Sequence, residues 1–136
     1  MDQPFDFIDE LLTRFQGRKE DLLKELQART ELHPHIVELA TQHSRHKSWR
    51  YAWLTYHLLP TGHPSIRASL RKLIEILAHC PEGQQREILR ILEREEIPED
   101  YSGLLFNHTC QIWESLSKRP GVRIFAFRVM MKVARQ

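Results

Sequence analysis

Eight histidines in 136 residues are the first candidates for chemistry. His43 and His46 are three apart, so on one helix they could share a metal ion. A third and fourth ligand are harder to supply, because the junction at 43–46 breaks the helix. Residues 39–74 also contain no carboxylate to orient a ligating ring. His33 and His63 stand before prolines and read as helix-start residues. His57 follows Arg50 by seven, which places both on one helical side. His108 and Cys110 are two apart and point to different sides of a helix, a poor nucleophile–base pair. The other cysteine, Cys80, forms no CxxC motif with it, which predicts a reducing, cytoplasmic setting. Phosphate-cradling GxxxxGK[ST], GxGxxG and GxSxG motifs are absent. Glu95-Glu96 and Glu99-Asp100 flank Pro98 and read as a soluble turn, with Glu99 or Asp100 favourable at the next helix N-terminus. No residue is assigned to catalysis, and neither a cofactor nor a metal is expected.

The elements that carry these residues are marked out by proline. All seven prolines, at 4, 34, 60, 64, 81, 98 and 120, lie between apolar-periodic stretches. His33-Pro34, His63-Pro64, Cys80-Pro81 and Arg119-Pro120 therefore read as helix starts, where the missing N–H has no intrahelical partner. Gly17, Gly62, Gly83 and Gly121 fall at the same boundaries. Between the breaks the period is helical: Phe5, Ile8, Leu12 and Phe15; Ile66, Leu70, Leu73, Ile74 and Leu77; Ile88, Leu89, Ile91 and Leu92. Eight helices are predicted, at about 4–15, 18–29, 34–43, 45–58, 64–79, 82–95, 100–117 and 121–135. Short joints should make sequential helices antiparallel neighbours. Residues 122–129 have strand-like β-branched and aromatic content, but no second strand signal exists for them to pair with, so they are assigned to helix. The stripe Trp49, Ala52, Trp53 and Tyr56 reads as core.

The composition, 41% apolar and 28% charged with a net charge of +2, excludes general disorder. The length suits one domain spanning 1–136. No run approaches the roughly 18 apolar residues of a membrane helix, and the first residues lack a signal peptide's basic start and apolar core.

Arg50, Arg86 and Arg123 are 36 and 37 positions apart, each near the start of the second helix of a pair, a period typical of helical-hairpin arrays. The run Trp49-Arg50-Tyr51-Ala52-Trp53, the joint Glu96-Ile97-Pro98-Glu99 and the opening Pro120-Gly121-Val122-Arg123-Ile124-Phe125-Ala126 resemble small bacterial HEAT-like (armadillo-type) repeat proteins of unassigned function. The resemblance covers about residues 33–136. It lacks the regular Asp between paired helices, so the repeat class, HEAT or armadillo-like, stays open. It implies an all-α, right-handed α-α superhelix of about four antiparallel hairpins and supplies no catalytic residues.

Charge is arranged in blocks. Residues 1–38 are net −4, 39–74 hold six bases and no acid, 75–114 are net −6, and 115–136 again hold six bases and no acid. Neighbouring hairpins would alternate in sign and pair across their contacts, each exposed pair contributing about 0–1 kcal/mol. Alternatively Lys47, Arg50, Arg123 and Arg128 line a basic groove for phosphate, nucleic acid or an acidic peptide. In the last helix, at 100° per residue, Val122, Phe125, Ala126, Val129, Met130 and Val133 form an inward stripe. Ile124, Phe127, Met131 and Ala134 widen the apolar arc to about 260°, against the ≳100° of a one-sided helix. Either this helix lies between two others, or Ile124, Phe127 and Met131 contact a second copy or another protein. The reading favours a non-catalytic protein-interaction scaffold. The alternatives are a nucleic-acid or phosphate binder and an enzyme whose site the sequence does not reveal.

Overall fold

The prolines open helices where the sequence places them. In the computed structural model, which describes residues 3–42 and 47–136 (of 3–6 the backbone alone), Pro34, Pro64 and Pro120 sit in first turns. Pro81 and Pro98 immediately precede helices. The elements are α1 (Gln3–Arg14), α2 (Lys19–Gln27), a 3-10 turn (Thr30–Leu32), α3 (His33–Ala40), α4 (Trp49–Leu58), α5 (Pro64–Ile76), α6 (Glu82–Arg94), α7 (Glu99–Glu114) and α8 (Pro120–Ala134). The described residues contain no strand, and 122–129 are helical. The predicted start of α4 at 45 falls partly on residues outside the described ones, as do His43 and His46.

Contacts run mainly between alternate helices. α1, α3, α5 and α7 form one row in which each touches the next, and α2, α4, α6 and α8 form a second. α3 against α4 and α7 against α8 join the rows. Between the rows lie the apolar stripes: Ile66, Leu70, Leu73 and Ile74 of α5, Ile88, Leu89, Ile91 and Leu92 of α6, and Val122, Ala126, Val129 and Val133 of α8, all buried. The aromatic stripe predicted as core needs correction. Ala52 is buried, but Trp49 is 45% exposed, Trp53 and Tyr56 only edge the core, and fully buried Tyr51 takes the interior position. The inward side of α4 is set by Tyr51, Leu54, Thr55 and Leu58, which at about 100° per residue lie roughly across the helix from the stripe.

A helix leaves its last carbonyls without intrahelical partners, and many helices satisfy them through a left-handed glycine. Among the described glycines only Gly62 has positive φ, at 80°, and it lies beyond the C-cap of α4. The C-terminal ends of α2 to α7 are instead met by side chains from other helices. His33 Nε2 donates to the Leu26 carbonyl of α2 at 2.9 Å. Gln84 reaches from α6 to the Ala40 and Gln42 carbonyls at the end of α3, at 3.0 and 3.1 Å. Its neighbour Gln85 donates to Leu77 at the end of α5 at 2.7 Å. Arg94 donates to Leu59 after α4. From α8, Arg123 Nε caps Trp113 of α7 at 2.8 Å. Lys132 Nζ caps Leu92 and Glu93 of α6, at 3.0 and 2.8 Å, and also reaches Glu95.

The densest of these fastenings surrounds Glu95, which is fully buried. Its carboxylate accepts from the Gly62 N–H, at 2.9 and 3.2 Å, and from Arg67 at 3.2 Å. The same Arg67 nitrogen donates to the Glu96 carbonyl at 2.6 Å. The positive φ of Gly62, cheap for glycine alone, forms part of the turn that presents its N–H to that carboxylate. His63 closes the turn: its Nδ1 accepts from Ser65 N at 3.0 Å, which places the ring proton on Nε2. Removing the Glu95 carboxylate leaves a backbone donor and part of a guanidinium without partners, at a cost of about 2–4 kcal/mol. Glu95→Ala should therefore lower the urea midpoint markedly and Glu95→Gln less. Glu96→Ala, whose side chain is exposed, should stay within about 0.5 kcal/mol of the parent. Equal midpoints for all three variants would show that the buried carboxylate fastens nothing.

Candidate functional site

The outward side of α4 is built from large polarisable rings. Trp49, Trp53 and His57 recur at i, i+4 and i+8, while Tyr56 turns toward α6. Arg90 and Arg94, one turn apart on α6, hold their guanidinium carbons 4.4 and 4.2 Å from the Tyr56 ring centre. Lys19, at the start of α2, lies 5.5 Å from the Trp53 ring. The His57 ring is 4.4 Å from Trp53 and 5.2 Å from Tyr56. Each cation over a ring contributes about 0.5–1 kcal/mol at such exposed places. Burial, and after it the charges of Arg90, Arg94 and Lys19, hold His57 below the ordinary histidine range. Three cations thus stand at the rings of this surface. Of these cations Arg90 has an acidic partner, Glu87 at 3.1 Å.

Beside these rings a hollow of about 240 Å³ opens between the α1–α2 joint and α4. Leu12, Phe15, Leu22 and Leu54 give it apolar walls, and Lys19 and Arg50 bring charge to it. Phe15 folds back over Gly17, where an added Cβ would meet its ring at 2.8 Å. Arg50 Nε is buried with no hydrogen-bond partner among the described residues.

Of the four cations predicted as a groove, Arg123 and Arg128 have partners within the fold. Arg50 lines the hollow, and Lys47, exposed with φ 56°, precedes α4. Arg123 caps α7 and lies 5.0 Å from the Trp113 ring. Arg128 pairs with Glu93 at 2.8 Å and covers Phe125 at 5.3 Å. The predicted contact residues do share one side of α8: Ile124 is 52% and Phe127 39% exposed, with Met131 half-buried. Phe127 meets Trp113 of α7 at 4.8 Å. α8 packs on both α6 and α7 and still leaves Ile124 and Phe127 partly exposed. Sequence reasoning missed Lys19, Arg90 and Arg94. The i, i+4 arginines of α6 are visible in the sequence, but their convergence on Tyr56 depends on how α6 packs against α4.

Among the described residues no three His, Cys, Asp or Glu side chains are grouped to hold a metal, and no helix is long and apolar enough to cross a membrane. Burial pushes the Cys80 thiol up to about 12, which leaves it inert. Cys110 Sγ contacts Met130 Sδ at 3.2 Å. Burial, with the charge of His79 second, also holds His108 low.

His57 and His108 bind a proton less readily folded than unfolded. The stability they allow is complete above the unfolded value near 6.5 and declines as pH falls through it toward the folded values. Urea unfolding at pH 7.5 and 5.5 should show the parent losing stability at the lower pH, and His57→Gln and His108→Asn each losing less. An unchanged difference in both variants would contradict the assignment. Comparison with family models, curated proteins and solved structures finds no match to this chain.

Proposed function

We propose that residues 1–136 form one non-catalytic, HEAT-like helical-repeat domain, an α-α superhelix of about four hairpins, that works in a reducing compartment by binding another protein. The alternate-helix contacts of the two rows and the placement of Arg50, Arg86 and Arg123 all in the second row support the repeat reading. One observation carries the functional reading. Ile124 and Phe127 stand exposed on α8 beside Trp113 and the half-buried Met131. Exposed large apolar side chains grouped on one side mark contact surfaces more often than those scattered singly. Aromatic residues and methionine are also enriched at such contacts. The nucleic-acid alternative has less behind it, since Arg123 and Arg128 are already engaged within the fold.

A photo-crosslinking residue in place of Ile124, in the full chain in its native cell, should give discrete protein adducts. Phe127→Glu should reduce their yield about ten-fold or more. The same probe at exposed Arg71 should give none of them. Adducts to nucleic acid alone, or none at all, would overturn the reading.

A further inference from the structure

We infer that the hollow between the α1–α2 joint and α4 receives one large apolar side chain of an acidic peptide segment, with Lys19 and Arg50 pairing the flanking carboxylates. This inference rests on the protein-binding reading but concerns a surface away from α8. Size is the first argument. At about 240 Å³ the hollow is smaller than the roughly 300–1,000 Å³ of small-molecule sites, and it suits a single Phe- or Leu-sized anchor against Leu12, Phe15 and Leu54. Charge is the second. Lys19 and Arg50 stand at the hollow, Arg90 and Arg94 stand one helix away, and together with Lys19 these depress His57. A carboxylate-bearing chain is the complementary ligand. The third argument is the chemistry of Arg50, half-buried in the lining of the hollow: a guanidinium beside an apolar hollow is suited to a carboxylate, which it can meet with two parallel N–H donors.

The rings argue for a peptide over single-stranded nucleic acid. Base stacking needs open aromatic faces in succession. Here Tyr56 is covered by two guanidinium groups and Trp53 is packed by His57 and Lys19. Of the three rings Trp49 is the one in the exposed class.

The test titrates the full chain with a Glu-Glu-Phe-Glu-Glu peptide at low salt, read by the NMR shifts of the tryptophan indoles. Saturable shifts of Trp49 and Trp53, with Trp113 unmoved, are expected. The Glu-Glu-Ser-Glu-Glu peptide should bind about ten-fold more weakly, having lost its anchor, and the Lys-Lys-Phe-Lys-Lys peptide should not bind. Lys19→Gln and Arg50→Gln should each weaken the Phe peptide about five- to ten-fold, while Arg71→Gln should leave it unchanged. If Arg50→Gln disturbs folding, Lys19→Gln alone decides. Equal binding of the Ser peptide, tighter binding of a twelve-nucleotide oligo-dT, or no binding of the Phe peptide would overturn the inference. Crosslinking through residue 124 would still stand or fall separately.

Discussion

The constraint on which the rest depends is electrostatic and local: the last turn of a helix points bare carbonyls outward, and they must be met. The protein meets them with side chains of other helices. Gln84, Gln85 and Arg94 let α6 cap α3, α5 and α4, while Arg123 and Lys132 let α8 cap α7 and α6. Each bond satisfies a backbone acceptor and also fixes the position of one helix end against another element. Packing of apolar stripes has no such directionality. The caps supply the register that the stripes leave free.

This arrangement also distributes charge. Cations drawn to helix C-termini stand in a favourable field, and several become unavailable for ligands. Lys132 shows the cost of that use, since burial, with Arg67 nearby, holds its ammonium below the ordinary lysine range despite Glu95 and Glu93. On α6, Arg90 and Arg94 lie against the Tyr56 ring, and Arg94 also caps Leu59. The near-balanced charge of the sequence thus becomes, in the folded chain, a set of cations engaged by backbone carbonyls and rings.

Much of the fold was legible in the residues. Proline positions and apolar periods are local properties, and they placed eight helices within a few residues of their observed bounds. What was not legible is what depends on distance in the chain. Gln84 looks like an ordinary polar helix residue until the end of α3, 44 residues earlier, is brought to it. The Trp49–Trp53 stripe was mistaken for core because its spacing alone does not say which side of α4 meets the rows. Tyr51, two positions from each tryptophan and roughly across the helix, fills the interior. For the candidate site, Arg50, Ile124 and Phe127 were readable as exposed or amphipathic oddities. Lys19, Arg90 and Arg94 were not, because only the packing of α2 and α6 beside α4 brings them to the same rings.

The order of the caps along the chain has a consequence for synthesis. A ribosome releases the amino-terminal residues first, yet α3, α4 and α5 receive their caps from α6, and α6 and α7 receive theirs from α8. A nascent chain ending near residue 80 would hold three helices whose final turns face water uncapped. Within that prefix α3 can already pack on α4 and α5, but the ends of all three gain their side-chain caps only when α6 emerges.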